Sequence, residues 1–273
     1  MLTGLIFIIK AVIIGIVEGI TEFLPISSTG HMIIVGHFIN FEGDFAKLFE
    51  IVIQLGAILA VVFLYRKKIL SSFGSLKPGG EGFRLWTNLA VGFIPAGIVG
   101  FILHKKIQDY LMVPVVVAAA MLVGGIWLIA AENKYRKNYK IDSIDNIGYK
   151  QALIIGCFQC LSVVWPGFSR SASTIIGGWS LGLSTGAAAE FSFFLAIPTM
   201  FIATFYELIK TKAAMNGTEI LALIIGFIVS FVVAFFVVEK FINFLKKRPM
   251  RIFGIYRIIV GAVILILAVF KVL

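Results

Sequence analysis

Apolar residues recur along this chain in six blocks of about 20 residues, near 46–65, 86–104, 112–131, 188–209, 218–239 and 252–272. Each is long enough to cross the ~30 Å hydrocarbon core of a bilayer as a helix. Two further apolar stretches are interrupted: residues 5–38 break at Pro25 to Gly30, and residues 150–183 break at Pro166 to Ser173. Their second arms, His31 to Asn40 and Ala172 to Leu183, come to roughly 15–18 Å as helices and cannot cross. The pattern predicts an all-α integral membrane protein of six transmembrane helices plus two re-entrant helical hairpins. The irregular backbone at the hairpin tips is tolerated at membrane depth only where it is buried in protein or lines a cavity.

Composition agrees with that reading: 60% of the 273 residues are hydrophobic, 14% are charged, and the mean hydropathy is +1.02. A soluble domain could not carry these values without large exposed apolar patches. The linkers are too short to fold alone, so residues 1–273 read as a single membrane domain. The net charge of +10 sits in the linkers between apolar spans, a basic bias of membrane proteins rather than a nucleic-acid footprint, and no nucleic-acid partner is expected. The N-terminal apolar run with Lys10 mimics a signal peptide but lacks a small-residue cleavage site, so it is expected to be retained.

Charge also predicts orientation. Arg66, Lys67, Lys68, Lys77 and Arg84 share one loop, Lys134, Arg136, Lys137, Lys140 and Lys150 a second, and Lys240, Lys246, Lys247, Arg248 and Arg251 a third. The opposite loops offer mainly Lys105, Lys106, Lys210 and Lys212. The positive-inside rule makes the first set cytoplasmic and puts both termini outside. An offset of 141 carries Glu18, Pro25 and Ser28 onto Gln159, Pro166 and Ser169. This predicts inverted repeats at about 5–66 and 150–210, a layout that brings broken helices together near the midplane, where half-helix N-termini hold anions.

The interruptions carry the chemistry. The first reads Glu18-Gly-Ile-Thr-Glu22-Phe-Leu-Pro25-Ile-Ser27-Ser28-Thr29-Gly30-His31, and ionisable groups that dense in an apolar stretch face a bundle interior or a watery cavity. Glu18 and Glu22, four apart, share a helix face, where they can hold a divalent cation or divide acid and base roles. Ser27, Ser28 and Thr29 can cap the second arm or meet a ligand. His31 lies close enough to the hydroxyls and acids for proton transfer or nucleophilic attack. In the second break, Arg170 is the only charge between Lys150 and Glu190, flanked by Ser169 and Ser171; a guanidinium suits bidentate phosphate recognition. Together these groups point to a phosphorylated substrate and to phosphoryl transfer. Cys157 and Cys160 lack a second pair or a nearby His and read as packing residues, and His37 and His104 as interfacial.

These motifs, with Val52-Ile-Gln54-Leu-Gly56, Ile94-Pro95-Ala96, Pro166-Gly-Phe-Ser-Arg-Ser171 and Glu190-Phe-Ser-Phe, resemble the undecaprenyl-pyrophosphate phosphatase family, integral membrane enzymes associated with bacitracin resistance. The resemblance covers nearly the whole chain. It implies a bacterial plasma-membrane enzyme that removes the terminal phosphate of a C55 polyprenyl diphosphate and so regenerates the lipid carrier for cell-wall synthesis. It implies a divalent cation, Mg²⁺ or Ca²⁺, and places functional weight on Glu18, Glu22, Ser28, His31 and Arg170. On this reading Glu18 and Glu22 position the metal, Ser27, Thr29, Ser169, Arg170 and Ser171 bind phosphoryl oxygens, and Ser28, His31 or water attacks. The pocket opens to the outer face and sideways to membrane lipid. The rival expectation is a polyprenyl-phosphate transporter or flippase, which the same layout also suits.

Overall fold

A computed structural model describes residues 2–210 and 215–273, and of Lys246 the backbone alone. Lys212, counted above with the outer loops, lies outside the described residues. The chain is a helical bundle of α1 (Leu2–Thr21), α2 (Ser28–Phe38), α3 (Asp44–Leu64), α4 (Arg66–Phe73), α5 (Glu81–Tyr110), α6 (Pro114–Tyr135), α7 (Tyr149–Val164), α8 (Arg170–Ser180), α9 (Thr185–Lys210), α10 (Gly217–Lys247) and α11 (Arg251–Val269). Among the described residues the β-structure is confined to one isolated bridge between Ile141 and Leu183.

The six expected spans correspond to α3, α5, α6, α9, α10 and α11. Among the described residues seven helices are long and apolar enough to cross a membrane, one more than the sequence reading counts. The seventh is α1, whose 20 residues extend to Leu2. Its packing is nevertheless that of a hairpin arm. The α2 helix returns alongside it until Phe41 meets Phe7 at 5.4 Å and the Lys10 ammonium donates to the Asn40 carbonyl at 3.1 Å. Helix α1 runs parallel to α10, with Gly15 and Gly19 set so close that a Cβ on either would lie 2.8 Å from the Gly226 or Ser230 carbonyl oxygen.

The second hairpin, α7 and α8, is built on α5. It closes where the Lys140 N–H donates to the Gly182 carbonyl at 2.7 Å and Ser184 N–H to Ile141 at 2.7 Å. Helix α3 starts beside the mouth of the first hairpin, where Phe45 and Phe49 meet Phe41. It leads into α4 at the mouth of the second, where Lys68 pairs with Asp145 at 3.3 Å and Glu190 at 3.1 Å. The two hairpins therefore open toward opposite ends of the bundle and meet tip to tip inside it.

Both second arms begin earlier than the sequence reading places them, α2 at Ser28 rather than His31 and α8 at Arg170 rather than Ala172. The cause is local. Ser27 and Ser169 are non-glycine residues in the left-handed region, with φ of 72° and 73°. Each hydroxyl accepts a backbone N–H three residues on, from Gly30 and from Ala172, both at 3.3 Å, so each helix is capped and starts at the next residue. The serines with matching geometry are thus Ser27 and Ser169, one residue out of the register that pairs Ser28 with Ser169.

Candidate functional site

The hairpin tips enclose a cavity of about 190 Å³. Glu22, Ser27, Ser28 and Thr29 line it from the first hairpin, Gly167, Ser169 and Arg170 from the second, Gln54 from α3, Gln159 and Ser162 from α7, and Thr199 from α9. Residues 148 positions apart in sequence meet there: Arg170 Nη2 donates to Glu22 Oε1 at 3.3 Å, with both side chains at most one-tenth exposed. Arg170 Nη1 donates to the Ser192 carbonyl at 2.9 Å, its guanidinium carbon lies 5.7 Å from the Phe23 ring centre, and its Nε is buried without a protein partner. A guanidinium so held is fixed in direction, with its Nε–H left unpaired among the described residues.

On the other oxygen of the same carboxylate, Ser28 Oγ donates to Glu22 Oε2 at 2.6 Å. That bond directs the serine proton at a carboxylate and leaves the Oγ lone pairs toward the cavity, the arrangement of a hydroxyl nucleophile beside a base. Ser171 does not line the cavity. Its hydroxyl donates to the Leu24 carbonyl at 3.0 Å and lies 3.1 Å from Ser169 Oγ, so it ties one hairpin tip to the other.

His31 is turned away from the cavity. Its Nδ1 faces the Ser27 carbonyl at 2.7 Å; a carbonyl only accepts, so Nδ1 carries the proton. Nε2 then accepts from the Tyr256 hydroxyl at 2.8 Å, with the two rings stacked at 5.5 Å. Glu18 is wholly buried one turn before Glu22, and both its oxygens lack a hydrogen-bond partner. Among the described residues no three His, Cys, Asp or Glu side chains cluster as an all-protein metal cage. Glu22 lines the cavity and Glu18 is not among its lining residues; the chemistry of two neighbouring carboxylates suits a Mg²⁺ ion whose shell is completed by water and phosphate oxygens.

Gln54, Gln159, Ser162 and Thr199 also line the cavity, and the sequence reading gives none of them a site role. Amides inside apolar spans were the available signal. Gln159 is fully buried, donates to Thr199 Oγ1 at 3.3 Å and has a free Oε1. A nearly all-apolar groove of about 270 Å³ between α5, α7 and α9 lies beside the cavity, sharing Val163, Thr199 and Ala203 with it. At its far end His104 of α5 bonds Glu207 of α9.

The chain is 53% identical over 269 residues to the undecaprenyl-diphosphatase of Clostridium tetani, covering 98% of this chain and 99% of that one. It is 54% identical over 265 residues to the undecaprenyl-diphosphatase of Thermoanaerobacter pseudethanolicus, covering 97% and 98%. With Clostridium novyi undecaprenyl-diphosphatase it shares 54% identity over 280 residues, 98% of each chain. Residues 11–263, which hold both hairpin tips and every residue of the cavity, match the family model described as bacitracin resistance protein BacA, and the chain belongs to that family.

Proposed function

We propose that this protein is an undecaprenyl-diphosphatase of the bacterial plasma membrane, removing the terminal phosphate of the C55 polyprenyl diphosphate. The observation that carries the reading is the Ser28–Glu22–Arg170 chain, in which one carboxylate bonds a hydroxyl from its own hairpin and a guanidinium from the other. Simple binding has no need of a serine proton aimed at a base, so the arrangement favours the phosphatase over a transporter of the same lipid.

On this reading Arg170, with Ser27, Thr29 and Ser169, grips the phosphoryl oxygens. Ser28 Oγ forms a bond to the terminal phosphorus as its proton passes to Glu22. The bond from phosphorus to the bridging oxygen breaks, the polyprenyl monophosphate leaves, and water then releases phosphate from Ser28. His31 holds the Ser27 turn through the carbonyl it bonds. Glu18, whose oxygens have no hydrogen-bond partner among the described residues, and Glu22 would hold the divalent cation, Mg²⁺ or Ca²⁺, which when bound would supply charge neutralisation on the diphosphate.

A cavity of about 190 Å³ takes a head group and leaves the isoprenoid tail outside. The adjoining apolar groove of α5, α7 and α9 receives the first isoprene units. Cavity and groove lie past Ser192 on α9, toward Glu207 and away from the basic loops, which supports an opening to the outer face. The two hairpins are read as inverted copies of one unit, supported by their paired left-handed serines.

Purified protein in detergent, with no membrane and no gradient, is expected to release one inorganic phosphate per undecaprenyl diphosphate and leave undecaprenyl phosphate. Saturable binding of the lipid without phosphate release would overturn the phosphatase reading.

A further inference from the structure

Arg257 of α11 is a fully buried guanidinium that belongs to no ion pair among the described residues. Its Nη2 donates to the carbonyls of Phe168 at 2.7 Å, Gly167 at 3.2 Å and Ala120 at 3.3 Å, and its Nε and Nη1 have no partner. A charge taken out of water without a counter-ion is strongly disfavoured. Its main contacts are backbone oxygens of a single turn, the turn that ends in Ser169 and Arg170. That turn is tightly confined: Gly167 has φ of +95°, and a Cβ there would lie 2.9 Å from Val117 Cα. Ser169, next but one, sits at φ 73°. Tyr256, the neighbouring residue of α11, meets the first hairpin through its bond to His31.

We propose that Arg257 is a positioning residue for the diphosphate: by fixing the Gly167 and Phe168 carbonyls it aims Ser169 and Arg170 into the cavity and places an uncompensated positive charge behind the cavity wall. The substrate's anionic head group faces that charge through Gly167, which lines the cavity. The inference rests on the phosphatase reading above. It also accounts for Gly124 on α6. A Cβ at that position would lie 2.9 Å from the Arg257 guanidinium carbon and closer still to Nη2, so only a glycine leaves the guanidinium where it is.

The test compares purified wild type, Arg257→Lys and Gly124→Ala by thermal unfolding, with and without methylenediphosphonate as a non-hydrolysable probe of the head-group site. Gly124→Ala retains the arginine and a helix-favouring residue but pushes the guanidinium off the turn, so it decides the matter if Arg257→Lys does not fold. Folded variants are expected to keep less than half of the probe-induced rise in Tm, and kcat on undecaprenyl diphosphate should fall at least tenfold. A merely structural role would lower Tm with and without probe and leave the rise intact; that result, in either folded variant, overturns the proposal alone. A wild type that neither gains stability from the probe nor releases phosphate overturns the phosphatase reading and this proposal with it.

Discussion

Glu22 is the residue on which the site turns, because each of its oxygens is committed to a different partner, Ser28 on one side and Arg170 on the other. Glu22→Gln preserves shape and can keep one bond to each neighbour, but it removes the carboxylate proposed above as the base. General-base contributions run to about 10²–10⁴-fold in rate, so kcat is expected to fall by that order while Tm changes little. Turnover near that of the wild type would refute the role. Ser28 and His31 separate by geometry: the serine bonds Glu22 and lines the cavity, whereas both ring nitrogens of His31 are engaged, by Ser27 and Tyr256. Enzyme quenched in denaturant at neutral pH during turnover and analysed by mass spectrometry should carry phosphate on Ser28. Phosphate on His31 would contradict the assignment.

At the scale of helices, the apolar groove between α5, α7 and α9 is where chain and lipid tail are expected to meet. Gly100 lines it, and a Cβ there has only Val163 within contact distance, at 3.6 Å. Gly100→Leu would therefore fill the groove and touch the cavity only through Val163, which lines both. It is expected to raise KM for undecaprenyl diphosphate by roughly 10–100-fold, the scale of a blocked apolar contact, with little change in kcat; an unchanged KM would place the tail elsewhere. This groove was not legible in the sequence, because its lining residues are ordinary span residues that become a surface only when three helices splay. The hairpins were legible, since short arms around a Pro-containing polar break cannot cross a bilayer. Their exact starts were not. They depend on Ser27 and Ser169 taking a left-handed backbone, a conformation uncommon for a serine and set by tertiary contacts. The two acids, three hydroxyls and arginine of the site stood out because each is polar in an apolar setting. His31 stood out equally and proved to face Tyr256, a partner 225 residues away that no local pattern indicates.

For the whole molecule, the basic loops and the position of the cavity predict one orientation. In a background with Cys157 and Cys160 replaced by Ser, a membrane-impermeant thiol reagent added to intact cells should miss Lys77→Cys and Asp142→Cys and label Asn216→Cys, all exposed positions. The reverse pattern would turn the cavity toward the cytoplasm. The central claim is that two hairpins entering from opposite ends of the bundle build one diphosphate site, and Arg170 is the group that the second hairpin contributes to it. Turnover of folded Arg170→Lys on undecaprenyl diphosphate tests this most directly, because lysine keeps the charge that neutralises Glu22 but loses the planar fork. The account predicts a variant with near-wild-type Tm and at least about a 100-fold loss of kcat/KM, while a folded Arg170→Lys that turns over like the wild type would contradict it.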